Sequence, residues 1–282
     1  MDPLVFQTDF GLVDGAVCAM YGVAYTVSPE LNIHDLTHDI TPYNIWEASY
    51  RLIQTIHYWP ENTVFVSVVD PGVGSDRKSL VARTASGHYI VTPDNGTLTH
   101  VLRFDGIVAV REIDETVNRL PRSGESYTFH GRDVYAYTGA RLAAGVIDFA
   151  GVGPEVPVDS IVRLPIEEPY TDEKGTHGTI DVLDVRFGSL WTNIPRTMFL
   201  SSGVRYGDRV SITIENDTRI VYRNIILFGK SFADVYVGEA LAYVNSLDCV
   251  AVAINQGSFA RAYNVGTGNS WRITIAPFQG FF

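Results

Sequence analysis

The sequence predicts two domains of different class: an α/β domain with a largely parallel sheet over residues 1–163, and an all-β domain over 177–282. Three observations carry this. In the first half, short β-branched apolar runs alternate with stretches of helical period, the pattern of helices laid over a sheet. The stretch from Leu164 to Gly175 is acidic and carries Pro165 and Pro169, so 164–176 reads as a linker. Beyond it come short strands with turns between them and no convincing helix, which fits a small antiparallel barrel or sandwich.

Taken in order, Leu4-Val5-Phe6 is a strand that runs into Thr8-Asp9-Phe10-Gly11. Val17, Met20, Tyr21 and Ala24 then recur at helical spacing between Gly15 and Val27. Asn44 is an N-cap with Glu47 at N3, a variant of the capping box, and Pro60 stops the helix that follows. Strands are expected at 63–69, 79–83, 88–92 and 106–112, and a last helix from near Arg132 to Gly145, with Asp133 in its first turn. In the second half the expected strands are Thr179–Leu183, Val210–Ile214, Ile220–Tyr222, Val235–Val237, Val250–Ile254 and Trp271–Ile275.

Composition narrows the function. With 282 residues, 46% hydrophobic and 19% charged, the chain builds a core without staples. A net charge of −11 argues against nucleic acid or an anionic membrane as a main partner. Cys18 and Cys249 lie far apart in apolar runs and read as buried free thiols of a reducing compartment. No apolar stretch reaches the roughly 18 residues that span a bilayer, and the start has no basic leader, so a cytoplasmic location is expected.

The most informative run is Thr63 to Arg77: a buried strand that ends on Asp70, turns through Pro71, Gly72 and Gly74, and arrives at Arg77. In open α/β sheets, reacting groups are presented at the carboxyl ends of strands. Asp9 at the end of the first strand and His130 just before a helix N-terminus join it as candidates, since His titrates near neutrality. As ordinary architecture, Asp9 would cap the following helix and Asp-Pro-Gly would be a plain turn. No metal-ligand spacing, dinucleotide fingerprint, phosphate loop or nucleophile elbow is present. In the second domain, Phe187, Trp191 and Phe232 beside Asp184, Ser189 and Asn193 are either core aromatics or an aromatic slot for a planar base.

Taken together, Thr8-Asp9-Phe10-Gly11, Asp35-Leu36-Thr37-His38, Pro42-Tyr43-Asn44-Ile45, the Asp70–Arg77 turn and Thr92-Pro93-Asp94-Asn95-Gly96 resemble the S-adenosyl-L-methionine (SAM) hydroxide adenosyltransferases, or SAM hydrolases, relatives of the fluorinase and chlorinase enzymes. The resemblance runs from residue 8 to about Asn255. It implies an α/β domain followed by a β-barrel, a homotrimer with active sites at subunit interfaces, and hydrolysis of SAM to adenosine and methionine without a metal or organic cofactor. It places an Asp-Arg-His triad on Asp70, Arg77 and His130. It assigns Asp9 to the ribose, Asp14 and Asp184 to the methionine ammonium, and Ser246 to its carboxylate. Phe187 and Phe232 would flank the adenine, with Trp191 and Asn255 nearby, and Tyr43 and Ser189 complete the substrate contacts. The halogenases carry Tyr where this chain has Asp70 and Thr where it has Val73. Ser189 stands where relatives usually have Asn, and Leu247 where the halogenases have Arg. A 5′-halogenase and a non-catalytic SAM or adenosine-binding module are the alternatives.

Overall fold

The computed structural model describes residues 1–278. The chain divides into two compact units, Met1–Leu164 and Pro165–Phe282.

In the first unit the elements are β1 (Leu4–Thr8), α1 (Ala16–Val27), β2 (Ile33–Thr37), α2 (Ile45–Thr55), β3 (Val64–Val68), β4 (Ser79–Thr84), β5 (Tyr89–Pro93), α3 (Thr99–Phe104), β6 (Ile107–Glu112), α4 (Tyr137–Ala143) and β7 (Glu155–Val156). The seven strands form one sheet in the order β2-β1-β3-β5-β4-β6-β7. The sheet is mixed. The pairs among β2, β1, β3 and β5 are parallel, whereas β4 pairs antiparallel with β5 and β6, and β6 with β7. Sequence shows strand order along the chain but not direction, so the antiparallel half was not legible.

Alternation of side chains explains the layering. Leu4, Phe6, Val64, Val66 and Val68 face Met20 and Ala24 of α1 and Ala140 of α4, while Val5, Phe65, Leu80 and Ile90 face Leu52 and Ile53 of α2 and Val101 of α3. Both faces of the central strands are therefore buried, which is why β3 reads as an unbroken apolar run. Asn44 caps α2 as expected, its Oδ1 accepting the Glu47 N–H at 3.0 Å. The Glu47 carboxylate reaches past the cap to the Thr41 N–H at 3.1 Å, which anchors the preceding loop instead.

The close approach of α4 to the sheet depends on one glycine. A Cβ on Gly139 would overlap Val66 Cγ2 on β3. Helix propensity alone favours Ala over Gly by about 1 kcal/mol. Overpacking a buried contact costs about 1–3 kcal/mol, so the clash wins. Gly139→Ala is expected to lower the thermal midpoint, and Val66→Ala in the same chain to restore part of the loss; a raised midpoint in the single variant would contradict this packing.

In the second unit the elements are β8 (Tyr170–Asp172), β9 (Gly175–Leu183), β10 (Leu190–Pro195), α5 (Arg196–Leu200), β11 (Arg209–Asn216), β12 (Ile220–Phe228), β13 (Ala240–Val244), β14 (Cys249–Ile254), α6 (Phe259–Tyr263) and β15 (Gly268–Pro277). The order β10-β14-β13-β12-β11-β15-β9 closes through the β9–β10 pairing into a seven-stranded barrel, with β8 added at β9. Of the two architectures open to residue-level reading, the barrel is the one present. Its interior holds Ile180, Leu190, Val210, Ile212, Phe228, Val252 and Ile275.

Four local expectations change. Residues 164–176 are not a bare linker: Tyr170–Asp172 pairs with β9, with the Tyr170 ring stacked 4.5 Å from His177 and His177 Nε2 2.8 Å from Asp172 Oδ1. Val235–Val237 is not a strand; it follows the 3₁₀ turn Phe232–Asp234, whose Ser231 and Asp234 form a reciprocal cap that turns the chain. The helices α5 and α6 are only five residues each, too short to leave a periodic signature. Cys18 is exposed on α1 and Cys249 is half-buried, because helical rotation turns Cys18 outward while Val17 and Met20 face the core.

Candidate active site

The order of the parallel strands creates a topological switch point in the first unit. From β1 the chain goes outward to β2, then crosses back to β3 on the other side of β1. Loops leaving the carboxyl ends of β1 and β3 thus diverge, and ligands in α/β sheets occupy such switch points. Those loops carry Asp9 and Asp70.

Asp70 and Arg77 close the loop after β3 on each other. Arg77 Nε donates to Asp70 Oδ1 at 2.6 Å, and Nη2 to Oδ2, a two-pronged pairing that fixes both planes. The side chains are only 5% and 10% exposed respectively. Gly74 has φ +79°, which a side chain would strain, and a Cβ there would meet the Tyr127 carbonyl at 3.3 Å. The Arg77 guanidinium lies 5.7 Å from the Tyr135 ring centroid, and Tyr135 Oη is 3.0 Å from Ser79 Oγ.

His130 completes the cluster, its Nδ1 3.3 Å from Arg77 Nη2. It opens a π-helical turn, Gly131–Ala136, that leads into α4; such turns recur at functional sites. The imidazole is buried, and its pKa is lowered by loss of hydration first, then by Arg77 and Arg119, against the opposing pull of Glu115 and Asp70. The fold therefore favours the neutral ring, through loss of hydration first and the two arginines after it. A histidine kept neutral in the fold binds fewer protons than in the unfolded chain. Its contribution to stability is thus lost as pH falls below 6.5.

Asp9 does not cap α1. Its Oδ2 accepts the Tyr43 N–H at 2.8 Å, and Tyr43 is exposed with φ +67°. The N-cap of α1 is Gly15, and Asp14 just before it accepts the Ala16 N–H on Oδ1 at 2.9 Å. Phe10 packs edge-on against Phe129 with centroids 5.9 Å apart, tying the Asp9 loop to the His130 segment.

In the second unit, Asp184, Phe187, Ser189, Phe232 and Asn255 line one cavity of about 660 Å³, together with Tyr243 and Ser258. Phe187 is 69% exposed and Phe232 40%, so these rings stand at the cavity wall and outside the barrel core. The Asp184–Ser189 loop is a tight turn: Asp184 N–H donates to the Ser189 carbonyl at 2.9 Å, and Gly188 takes φ +69°. Trp191 and Ser246 are not in this lining. Trp191 is buried in the barrel wall on β10, and Ser246 is exposed in the turn after β13.

The chain matches the family models for the SAM hydroxide adenosyltransferase N-terminal domain over residues 4–153 and C-terminal domain over 178–272. The chain belongs to this family. It is 38% identical over 224 residues to the (R)-S-adenosyl-L-methionine hydrolase of Methanocaldococcus jannaschii, covering 78% of this chain and 76% of that one. To the enzyme of the same name from Salinispora arenicola it is 34% identical, covering 95% and 96%. A fluorinase from Actinopolyspora mzabensis is 29% identical, with 96% of each chain covered. Among solved structures, a conserved uncharacterised protein of Thermotoga maritima aligns with TM-score 0.86 at 32% identity, covering 97% of this chain and 99% of that one.

Arg119, and several contacts around this adenosyltransferase-family site, escaped the sequence reading. Arg119 Nη1 lies 3.5 Å from His130 Nε2, yet it sits in no motif. Below Asp9, Thr8 Oγ1 meets His38 Nδ1 at 2.8 Å, His38 Nε2 meets Asp35 Oδ1 at 3.0 Å, and Tyr21 Oη donates to Asp35. The His38 carbonyl also takes the Gly11 N–H at 2.8 Å, so this relay fixes the loop that carries Asp9. The Asp35-Leu36-Thr37-His38 run was the available signal, though its partners lie on other elements. His38→Ala is expected to loosen the loop that carries Asp9; faster hydrogen exchange at the Gly11 amide checks it, and unchanged exchange would exclude the relay from positioning that loop.

Proposed function

We propose that this chain hydrolyses SAM to adenosine and L-methionine by attack of water, or hydroxide, at C5′. The observation that carries the reading is the Asp70–Arg77–His130 cluster, three groups with hydrogen-bonding capacity for a small nucleophile at the carboxyl end of a parallel strand. Sulfur leaves as a neutral thioether, so no acid is needed on the leaving side. The work lies in holding water in line with the C–S bond and removing its proton. Alignment contributes up to about 7–11 kcal/mol in favourable cases. In this reading the Asp70 carboxylate accepts a water proton, Arg77 favours hydroxide character by its fixed charge, and neutral His130 supplies a second acceptor.

Asp9 would take the ribose hydroxyls and Asp14 the methionine ammonium. Asp184 and Ser189 would meet the substrate from the barrel, with Phe187 and Phe232 on the base and Asn255 beside it. The reaction needs no metal or organic cofactor, since the sulfonium is already activated. The family likeness supports a homotrimer in which each site is shared by two chains, a closed heterologous ring.

The test is incubation with SAM in oxygen-18 water, with and without chloride, fluoride and EDTA, read by mass spectrometry. Label is expected in the adenosine 5′-hydroxyl, unaffected by EDTA. A dominant 5′-halo product would favour the fluorinase-like reading, and adenosine binding without turnover would leave a binding module. Against halide chemistry stands Asp70 itself, a proton acceptor that water attack can use and a halide nucleophile does not need.

A further inference from the structure

The second arginine at His130 has no part in the triad. Arg119 belongs to the segment that follows β6, and its side chain is 9% exposed. It is tightly held: Nη1 donates to Glu115 Oε2 at 2.6 Å, Nη2 to the Ser126 carbonyl at 2.6 Å, and Nη2 also to the Ser123 carbonyl at 3.3 Å. The guanidinium lies 5.3 Å from the Tyr127 ring centroid. So anchored, it presents Nη1 to His130 Nε2 at 3.5 Å, while Arg77 Nη2 faces Nδ1 at 3.3 Å from the opposite edge.

A guanidinium only donates, and an imidazole carries one lone pair when neutral and none when protonated. Two guanidiniums facing the two nitrogens therefore leave an imidazolium with an N–H aimed at a cation on both edges. The neutral ring keeps one nitrogen as an acceptor and so meets only one of the two guanidiniums donor to donor. We propose that Arg119 is a positioning residue for the adenosyl-transfer site, which holds His130 neutral and fixes its ring orientation by closing the edge that Arg77 leaves open. This rests on the reading of His130 as an acceptor in SAM hydrolysis.

The charged and titratable groups that face His130 are Arg77 and Asp70 from the loop after β3, and Arg119 and Glu115 from the segment after β6. Tyr127, from the loop before His130, packs edge-on with centroids 6.4 Å apart. Glu115 acts oppositely to Arg119: the carboxylate favours the charged ring and the guanidinium opposes it. That opposition supplies the experiment. Arg119→Gln and Glu115→Gln each break the same 2.6 Å pair, so a purely structural loosening of this segment moves both variants alike. An electrostatic role moves them in opposite directions.

The measurement is the titration of His130 by imidazole nitrogen NMR on the full chain, alongside the pH profile of kcat. Arg119→Gln is expected to raise the His130 midpoint. It would lower kcat at pH 5.5 by about tenfold, with a smaller loss at pH 8.5. Glu115→Gln is expected to move the midpoint down, and Arg119→Lys, which keeps the charge, to hold it near wild type. Midpoints that shift in the same direction in Arg119→Gln and Glu115→Gln, or shift in neither, overturn the proposal. If no variant and no wild-type protein turns over SAM, the hydrolase reading fails while the NMR titration still decides the role of Arg119.

Discussion

Asp70→Asn is expected to lower SAM turnover by about 10²–10⁴-fold, the range lost when a positioned general base is removed. The amide keeps the size of the carboxylate and can still accept from Arg77 through one oxygen, so the loop after β3 should stay in place. Asp70→Ala is the harsher variant, because it strands the Arg77 guanidinium, and breaking a buried pair costs about 3–5 kcal/mol. Turnover and adenosine affinity therefore need to be read together, with a thermal melt as the folding control. Adenosine should bind Asp70→Asn within about threefold of wild type, since the carboxylate is assigned to water and not to the nucleoside. His130→Ala should show the same split. Asp9→Ala should show the reverse, with weaker adenosine binding as the main loss. Near-wild-type turnover by Asp70→Asn would falsify the water site described above.

Mixing two inactive variants should restore activity if the sites are shared as proposed. Asp70→Ala disables the group assigned to water, and Asp184→Ala disables one assigned to the methionine end, and these residues belong to different units of the chain. In a ring of randomly mixed subunits, about a quarter of the boundaries receive an intact Asp70 from one chain and an intact Asp184 from the next. Activity of that order, absent from either variant alone, is the expected result after conditions that allow subunit exchange. Mixed oligomers that form but stay inactive would place each site within one chain, and the shared-site proposal would fall while the hydrolytic reading stood. Native mass spectrometry of the mixture separates these outcomes from a failure to exchange.

Residue patterns by themselves determined the α/β class of the first unit, the capped helix after Asn44 and the all-β class of the second unit. These depend on local rules: a strand buried on both faces must be apolar throughout, and a helix start must satisfy its free N–H groups. The family resemblance carried by the ordered motifs also pointed to Asp70, Arg77 and His130, which lie together in the fold. Direction and closure were decided only in three dimensions. A β-branched run has the same composition whether it runs parallel or antiparallel, so the mixed character of the first sheet and the β9–β10 closure of the barrel depend on which edge finds which partner. Short elements were lost for a related reason. Five residues complete little more than one helical turn, so α5 and α6 show no period, and the Tyr170–Asp172 strand is held by its pairing with β9 rather than by its composition. The site divides in the same way. Asp70 and Arg77 are seven residues apart on one loop, and local turn chemistry brings them together. Arg119 meets His130 across eleven residues of irregular chain, and Thr8 meets His38 across thirty. No sequence period marks such contacts, because their spacing is set by the packing of the loops and not by any repeat of the backbone.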